Sequence, residues 1–203
     1  MEFDEYAKGW DTEKRISRAK IIAKELENFI HINKRLSAME FGCGTGLISF
    51  NLHDKLKEIT LIDSSEGMLH IVKSKVETYK INNVVIKKID IEANSVIDEK
   101  YDIIYSSMVL HHIDDTKSII SKLYELLNNE GCLCIIDLNK EDGRFHKNET
   151  DFHGHNGFNQ AELIKIFENA GFKEVKAYTF YFDSKDIGDE VIEYSLFIIK
   201  GIK

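Results

Sequence analysis

The sequence predicts an α/β domain in which a doubly wound, mainly parallel β-sheet carries helices on both faces and ends in an antiparallel hairpin. Three observations predict it. Five short segments rich in β-branched and apolar residues alternate with stretches of helical periodicity. Those segments read as nearly continuous apolar runs, the pattern of strands buried on both faces of a parallel sheet. The last two strand-like runs follow one another without a helix, so they pair directly at one edge. At 203 residues the chain has room for one such domain with a sizeable core.

The elements follow in order. The N-terminal stretch "MEFDEYAKGWD" is acidic and lacks the apolar core of a signal peptide. Ile16, Ala19, Ile22, Ala23, Leu26, Phe29 and Ile30 then recur at spacings of three and four, the stripe of an amphipathic helix, with Asp11 or Thr12 as its cap. "SAMEF" (37–41), "EITLID" (58–63), "VVIKKID" (84–90), "YDIIYSS" (101–107) and "GCLCIIDL" (131–138) are the five strands. Met68, Val72, Val76 and Tyr79 mark a helix after the second. Ile119, Ile120, Leu123, Leu126 and Leu127 mark one before the fifth, stopped by "NNEG". Asn159, with Glu162 three residues on, starts another that Gly171 ends. "KEVKAYTFYF" and "VIEYSLFIIK" form the hairpin. No repeat, low-complexity tract or linker interrupts the chain, so the reading is one domain over 1–203.

Composition narrows the function. A hydrophobic fraction of 43% with 31% charged residues is that of a globular protein. The longest apolar runs, such as "YSLFIIK", are far short of the roughly 20 residues that span a bilayer. No membrane association and a cytoplasmic location are therefore expected. With 35 acidic against 27 basic residues the net charge is −8, which disfavours a nucleic-acid backbone and favours a small or uncharged substrate. Three cysteines give neither a disulfide framework nor paired zinc-ligand spacing. Cys132 and Cys134 alternate on a strand and share one face, towards the core.

The chemistry begins at "EFGCGTG", where Gly42, Gly44 and Gly46 crowd the end of the first strand. In a doubly wound sheet ligands bind beyond the carboxyl ends of the strands, and glycines there let the backbone turn sharply and approach a ligand. Asp63 closes the second strand 21 positions after Gly42, a separation that lets a carboxylate accept hydrogen bonds from a ribose held against the loop. Asp90 closes the third. A phosphate-binding P-loop would need a lysine after the last glycine, and "GTGLIS" has none. The G-x-G-x-x-G dinucleotide fingerprint meets Leu47 where its third glycine belongs. What remains is a nucleoside without phosphates whose other end is an amino acid.

"EFGCGTG", "LIDSSEGML", "KKID", "YSSMVLHHIDD" and "LYELLNNEGCLCIIDL", in that order, resemble the motifs of class I S-adenosylmethionine-dependent methyltransferases. The resemblance runs from about Ser37 to the C-terminus. It implies a Rossmann-like seven-stranded sheet of order 3-2-1-4-5-7-6 with the seventh strand antiparallel. It also implies S-adenosylmethionine as cofactor and S-adenosylhomocysteine as product. Glu40, Gly42, Cys43, Gly44 and Gly46 would lie by the methionine part, Asp63 would bind the ribose hydroxyls, and Asp90 with Ile91 would meet the adenine. Ser64, Met68 and Ser106 complete the implied cofactor set. Residues 1–34, with Tyr6 and Trp10, would form a lid and first helix, and 35–203 the core; Trp10 packing that helix on the sheet is the alternative. Many members carry proline in two turns where this chain has Ser65-Glu66-Gly67 and Asn129-Glu130-Gly131.

Methyl transfer from a sulfonium is an in-line displacement that needs alignment, exclusion of water and, for a protonated nucleophile, a base. No metal is obligatory and none is assigned. His111 and His112 follow the fourth strand, and His112 is a base candidate. The segment "LNKEDGRFHKNETDFHGHNGF" holds His146, His153 and His155 with Asp137, Asp142 and Asp151 nearby; His153 and His155 are the stronger base candidates there. A metal-assisted substrate site and an ordinary polar loop are the alternatives. The expected function is methyl transfer to a small-molecule acceptor. A non-catalytic S-adenosylmethionine binder and an NAD-dependent oxidoreductase stand as alternatives.

Overall fold

The computed structural model describes residues 3–91, 97–149, 152–188 and 190–203. Its seven strands are β1 (Ser37–Phe41), β2 (Glu58–Asp63), β3 (Val84–Lys88), β4 (Tyr101–Ser107), β5 (Leu127–Leu138), β6 (Lys173–Ile187) and β7 (Glu190–Ile202). They form one sheet of order β3-β2-β1-β4-β5-β7-β6. β1, β2 and β3 pair in parallel, and β7 runs antiparallel to both β5 and β6. The expected strand order is the observed one. Two compact units divide the chain, one ending at Tyr105 and the other beginning at Ser106.

In the first unit, the short helix α1 (Phe3–Tyr6) and a 3-10 turn (Ala7–Gly9) precede α2 (Glu13–Phe29). Thr12, not Asp11, caps α2, its hydroxyl accepting the N–H of Arg15 at 3.3 Å. The predicted stripe buries Ala19, Ile22, Ala23 and Leu26. Between β1 and β2 the chain makes only 3-10 turns, Ser49–Asn51 and His53–Lys55. α3 (Glu66–Tyr79), capped by Ser65, links β2 to β3 and buries Met68, Leu69 and Val72. β3 stops at Lys88, so Asp90 lies two residues past its end. Ile89 N–H still bonds to the carbonyl of Asp63 at 3.1 Å.

In the second unit, α4 (Thr116–Glu125) precedes β5 and α5 (Gln160–Asn169) precedes β6. Sequence periodicity carried α4 through Leu127, but the helix ends at Glu125 and β5 begins at Leu127. Leu126 and Leu127 fit an apolar helix stripe and a buried strand equally. Lys203 decides the matter locally, donating to the carbonyls of Tyr124 (2.8 Å) and Leu127 (3.1 Å) and so satisfying the helix end. Asn159 caps α5 by accepting from the N–H groups of Ala161 and Glu162, and Gly171 ends it at φ +105°. Cys132 and Cys134 are buried on β5, as their alternation requires. Among the described residues no helix is long and apolar enough to cross a membrane.

Candidate functional site

Two groups of residues are candidates for function, one in each unit. In the first unit, Gly42, Gly44 and Gly46 have φ of +66°, +51° and +78°, the left-handed region that a side chain disfavours. The loop is fastened to the end of β2. Cys43 N–H donates to the carbonyl of Ile62 (3.0 Å) and Gly44 N–H to Asp63 Oδ2 (2.7 Å). Asp63 Oδ1 accepts Ser65 N–H at 2.9 Å. The backbone of Ser64 also donates to Asp63, so three of a carboxylate's about four acceptor positions are taken and room is left for a ligand hydroxyl. Burial pushes the Asp63 carboxyl above the usual range, while backbone donors pull it back.

The surroundings of the loop are polar and closely bonded. Glu40, at the buried end of β1, accepts a short hydrogen bond from Ser49 Oγ, which in turn lies 2.5 Å from the Tyr105 hydroxyl. Burial raises Glu40 to about 8, against the opposing pull of Ser49. The N-terminal segment is tied to the same region. Asp4 accepts from Ser65 Oγ (2.5 Å) and Gly67 N–H (2.7 Å) at the start of α3. Asp11 accepts from Thr45 Oγ1 (2.5 Å) and pairs with Lys75 (2.6 Å), and Lys75 also donates to the Thr45 carbonyl (2.8 Å). Trp10 lies under the Arg15 guanidinium, 3.9 Å from ring centroid to Cζ. A Cβ on Gly44 would make one ordinary van der Waals contact, with Trp10 Nε1 at 3.8 Å, so there is space for it, whereas one on Gly46 would press on the Phe50 ring at 2.8 Å.

This cradle fits S-adenosylmethionine. It offers backbone that can approach a ligand closely, an acceptor position on Asp63, and buried apolar side chains in Met68 and Ile91. Ser64 and Asp90 are exposed beyond the ends of β2 and β3, and Tyr6 is exposed at the end of α1. Cys43 is buried with its thiol pushed well up by burial, which makes it inert. Sequence reasoning did not find Ser49, Tyr105, Thr45 or Lys75. Asp11 was visible only as a possible helix cap.

In the second unit the chain folds His146 onto His111 and His112. Ring centroids lie 4.1 Å apart for His111–His112, 5.0 Å for His111–His146 and 5.6 Å for His112–His146. Phe152 stacks on His146 at 3.8 Å with planes 7° apart. His111 Nδ1 lies 2.6 Å from Asp137 Oδ1. That fully buried carboxylate also accepts the backbone N–H groups of His111 (3.2 Å) and Leu138 (2.7 Å). The carboxylate is thus the acceptor, the ring donates from Nδ1, and its lone pair is at Nε2. Desolvation holds His112 down to about 4 and His146 to about 3, with neighbouring imidazoles adding to both.

Glycines bring the second segment in. A Cβ on Gly154 would sit 2.0 Å from the carbonyl oxygen of His111, and one on Gly157 2.2 Å from that of Asn139. His155 N–H bonds to the same His111 carbonyl at 2.7 Å. His155 Nε2 lies 3.0 Å from the carbonyl of Ile113 and 3.3 Å from that of Asp114. Carbonyls only accept, so the ring donates from Nε2. With Lys140, Phe158, Asn159 and Leu163 it lines a cleft of about 290 Å³. His153 is exposed, Ser106 is buried in the same unit, and Asp151 lies outside the described residues. The structure therefore gathers His111, His112 and His146, and sets His153 and His155 apart from them.

The comparisons agree with this architecture. A family described as "Methyltransferase domain" matches residues 32–190. An uncharacterized methyltransferase of Schizosaccharomyces pombe is 31% identical over 149 residues, 66% of this chain and 52% of that protein. A malonyl-[acyl-carrier protein] O-methyltransferase of Ilyobacter polytropus is 30% identical over 132 residues, 64% of this chain and 47% of that protein. The chain thus spans about half the length of these curated relatives. A crystal structure of a SAM-dependent methyltransferase from Aquifex aeolicus shares the fold with a TM-score of 0.68, covering 98% of this chain and 97% of that one at 18% identity. The glycine loop, its aspartate anchor and the sheet order meet in one conclusion: the chain belongs to the methyltransferase domain family, as a class I S-adenosylmethionine-dependent methyltransferase domain.

Proposed function

We propose that the chain, acting as one domain in the cytoplasm, transfers a methyl group from S-adenosylmethionine to a small-molecule acceptor. The observation that carries this reading is the Gly44–Asp63 hydrogen bond, which fixes a positive-φ glycine loop to a carboxylate at the end of β2. The net charge of −8 supports an acceptor other than nucleic acid.

Bound S-adenosylmethionine supplies an electrophilic methyl group on a sulfonium. The protein's part is to hold, align and dry the site. The glycine loop presents backbone without Cβ atoms in the way, Asp63 accepts from a ribose hydroxyl, and Met68 and Ile91 offer apolar contact. Glu40, Cys43, Ser64, Asp90, Ser106 and Trp10 complete the proposed cofactor set. His155 takes the proton of a protonated nucleophile at Nδ1, its ring held by the carbonyls of Ile113 and Asp114. His153 is the second candidate for that role, while His112 is packed into the cluster of rings.

The test is calorimetric titration of wild type and Asp63→Ala with S-adenosylmethionine, S-adenosylhomocysteine and NADH. Binding of the two adenosyl ligands and not NADH is expected, with the variant weakened by about 1.5–3 kcal/mol, the worth of hydrogen bonds to a charged group. Binding of NADH would favour the redox reading. Adenosyl binding with no methyl transfer across a panel of amines, carboxylates and phenols would favour a silent binder.

A further inference from the structure

We infer that the C-terminal unit carries a site for a divalent transition metal of the zinc class, held by His111, His112 and His146 with Glu149 as the fourth ligand. Each of the three rings offers a nitrogen within 4.8 Å of the other two. Tetrahedral zinc, with Zn–N of ~2.0–2.1 Å, holds its nitrogens about 3.4 Å apart, so closing the three rings takes movements on the order of 1 Å, and Glu149, outside that group, has farther to come.

Polar atoms with no protein partner point the same way. His146 Nδ1 and Glu149 Oε2 are both buried and without a hydrogen bond, and Oε2 lies 4.0 Å from His146 Nε2. Each such orphan costs free energy unless something bonds to it. Glu149 Oε1 faces Lys185 at 3.7 Å, which leaves Oε2 as the ligand atom. Behind His111 stands Asp137, bonded to Nδ1 so that Nε2 is presented, the carboxylate–histidine arrangement that orients metal ligands. Phe152, stacked on His146, fixes that ring's plane. Three imidazoles and one carboxylate suit zinc, cobalt or nickel better than magnesium or calcium, which prefer all-oxygen shells. The competing occupant is a bridging water.

The experiment takes the full chain, stripped of metal with a chelator, and titrates it with zinc and, as a spectroscopic probe, cobalt(II). One cobalt per chain with the visible d–d absorption of tetrahedral coordination is expected, displaced by zinc. His146→Gln and His112→Gln should each weaken zinc binding by more than roughly 100-fold, beyond the ~10–100-fold that Asp137→Asn costs as an outer-shell change. His70→Gln, in the other unit, should leave binding unchanged. Circular dichroism of the metal-free variants separates ligand loss from misfolding. Should the histidine variants not fold, Glu149→Gln keeps all three rings and must still lower affinity and alter the cobalt spectrum. Absence of tetrahedral cobalt absorption in wild type, or zinc bound equally by wild type, His146→Gln, His112→Gln and Glu149→Gln, overturns the site and leaves a water-bridged cluster of rings.

Discussion

Glycine serves opposite ends in the two units. At Gly44, in the loop after β1, it leaves room: a Cβ there would make one ordinary van der Waals contact, with Trp10 Nε1 at 3.8 Å, although one on Gly46 in the same loop would press on the Phe50 ring at 2.8 Å. In the segment before α5 it takes room away. Gly154 and Gly157 bring backbone within 2.0 Å and 2.2 Å of where a Cβ would stand, pressing the segment onto the carbonyls of His111 and Asn139. Gly44 leaves space beside its loop, whereas Gly154 and Gly157 mark a joint that holds their segment against the carbonyls of His111 and Asn139. The φ values alone do not separate them, since Gly44 at +51° and Gly157 at +68° are alike.

Alanine at these two positions breaks the comparison most sharply. Gly157→Ala carries both the left-handed penalty of ~1–2 kcal/mol and a backbone clash in the overpacking range of ~1–3 kcal/mol, roughly 3 kcal/mol or more together. Gly44→Ala carries the first alone, so urea denaturation should show a loss of about 1–2 kcal/mol. Its larger effect should fall on S-adenosylmethionine affinity, lowered by roughly tenfold or more, about 1.4 kcal/mol. Equal stability losses from the two variants would show that the distinction between open and closed glycines is false.

The same contrast explains what sequence could reveal. The glycine loop and Asp63 were legible because the loop is contiguous and the spacing to the next strand end is set by the fold. Strand order was legible through the helix-free final hairpin. The histidine cluster was not, because His146, His153 and His155 look alike in a polar loop until the fold fixes its path. Sequence favoured His153 and His155 as bases, and the fold gives His146 to the cluster. Ser49 and Tyr105 carried no signal, since neither residue type is unusual beside a buried strand. The overrun at Leu126 and Leu127 and the early end of β3 before Asp90 are boundary effects, where apolar residues satisfy helix and strand alike.

A smaller effect tests how closed the floor of the open loop is. Glu40 is buried beneath it and raised to about 8. Its folded value exceeds the unfolded one, so between these the native state holds a proton that the unfolded chain has lost, and stability falls as pH rises from 4.5 to about 8. At ~1.4 kcal/mol per unit the loss is on the order of a few kcal/mol. Glu40→Gln keeps an acceptor for Ser49 and has no proton to lose. His112 and His146, held below their ordinary value, titrate in both proteins, so the readout is the difference: thermal melts of wild type should fall relative to those of the variant as pH rises across that window. A difference constant with pH would mean that water reaches Glu40 and that the loop is open below as well as beside Gly44.

The smallest expected effect concerns the N-terminal segment's hold on the open loop. Asp11 binds Thr45 and Lys75, and Lys75 binds the Thr45 carbonyl, so one carboxylate ties the segment before α2 to the loop and to α3. The pair is only partly shielded, with side-chain exposures of 18% for Lys75 and 28% for Asp11, so salt screens part of it. Asp11→Asn keeps an oxygen for the Thr45 hydroxyl and removes only the charge. Stability should fall by less than about 1 kcal/mol, and the gap to wild type should narrow as salt is added. A loss several times larger, unmoved by salt, would mean that Asp11 holds the loop by shape, in the manner of Gly157, and that the open loop too is a joint.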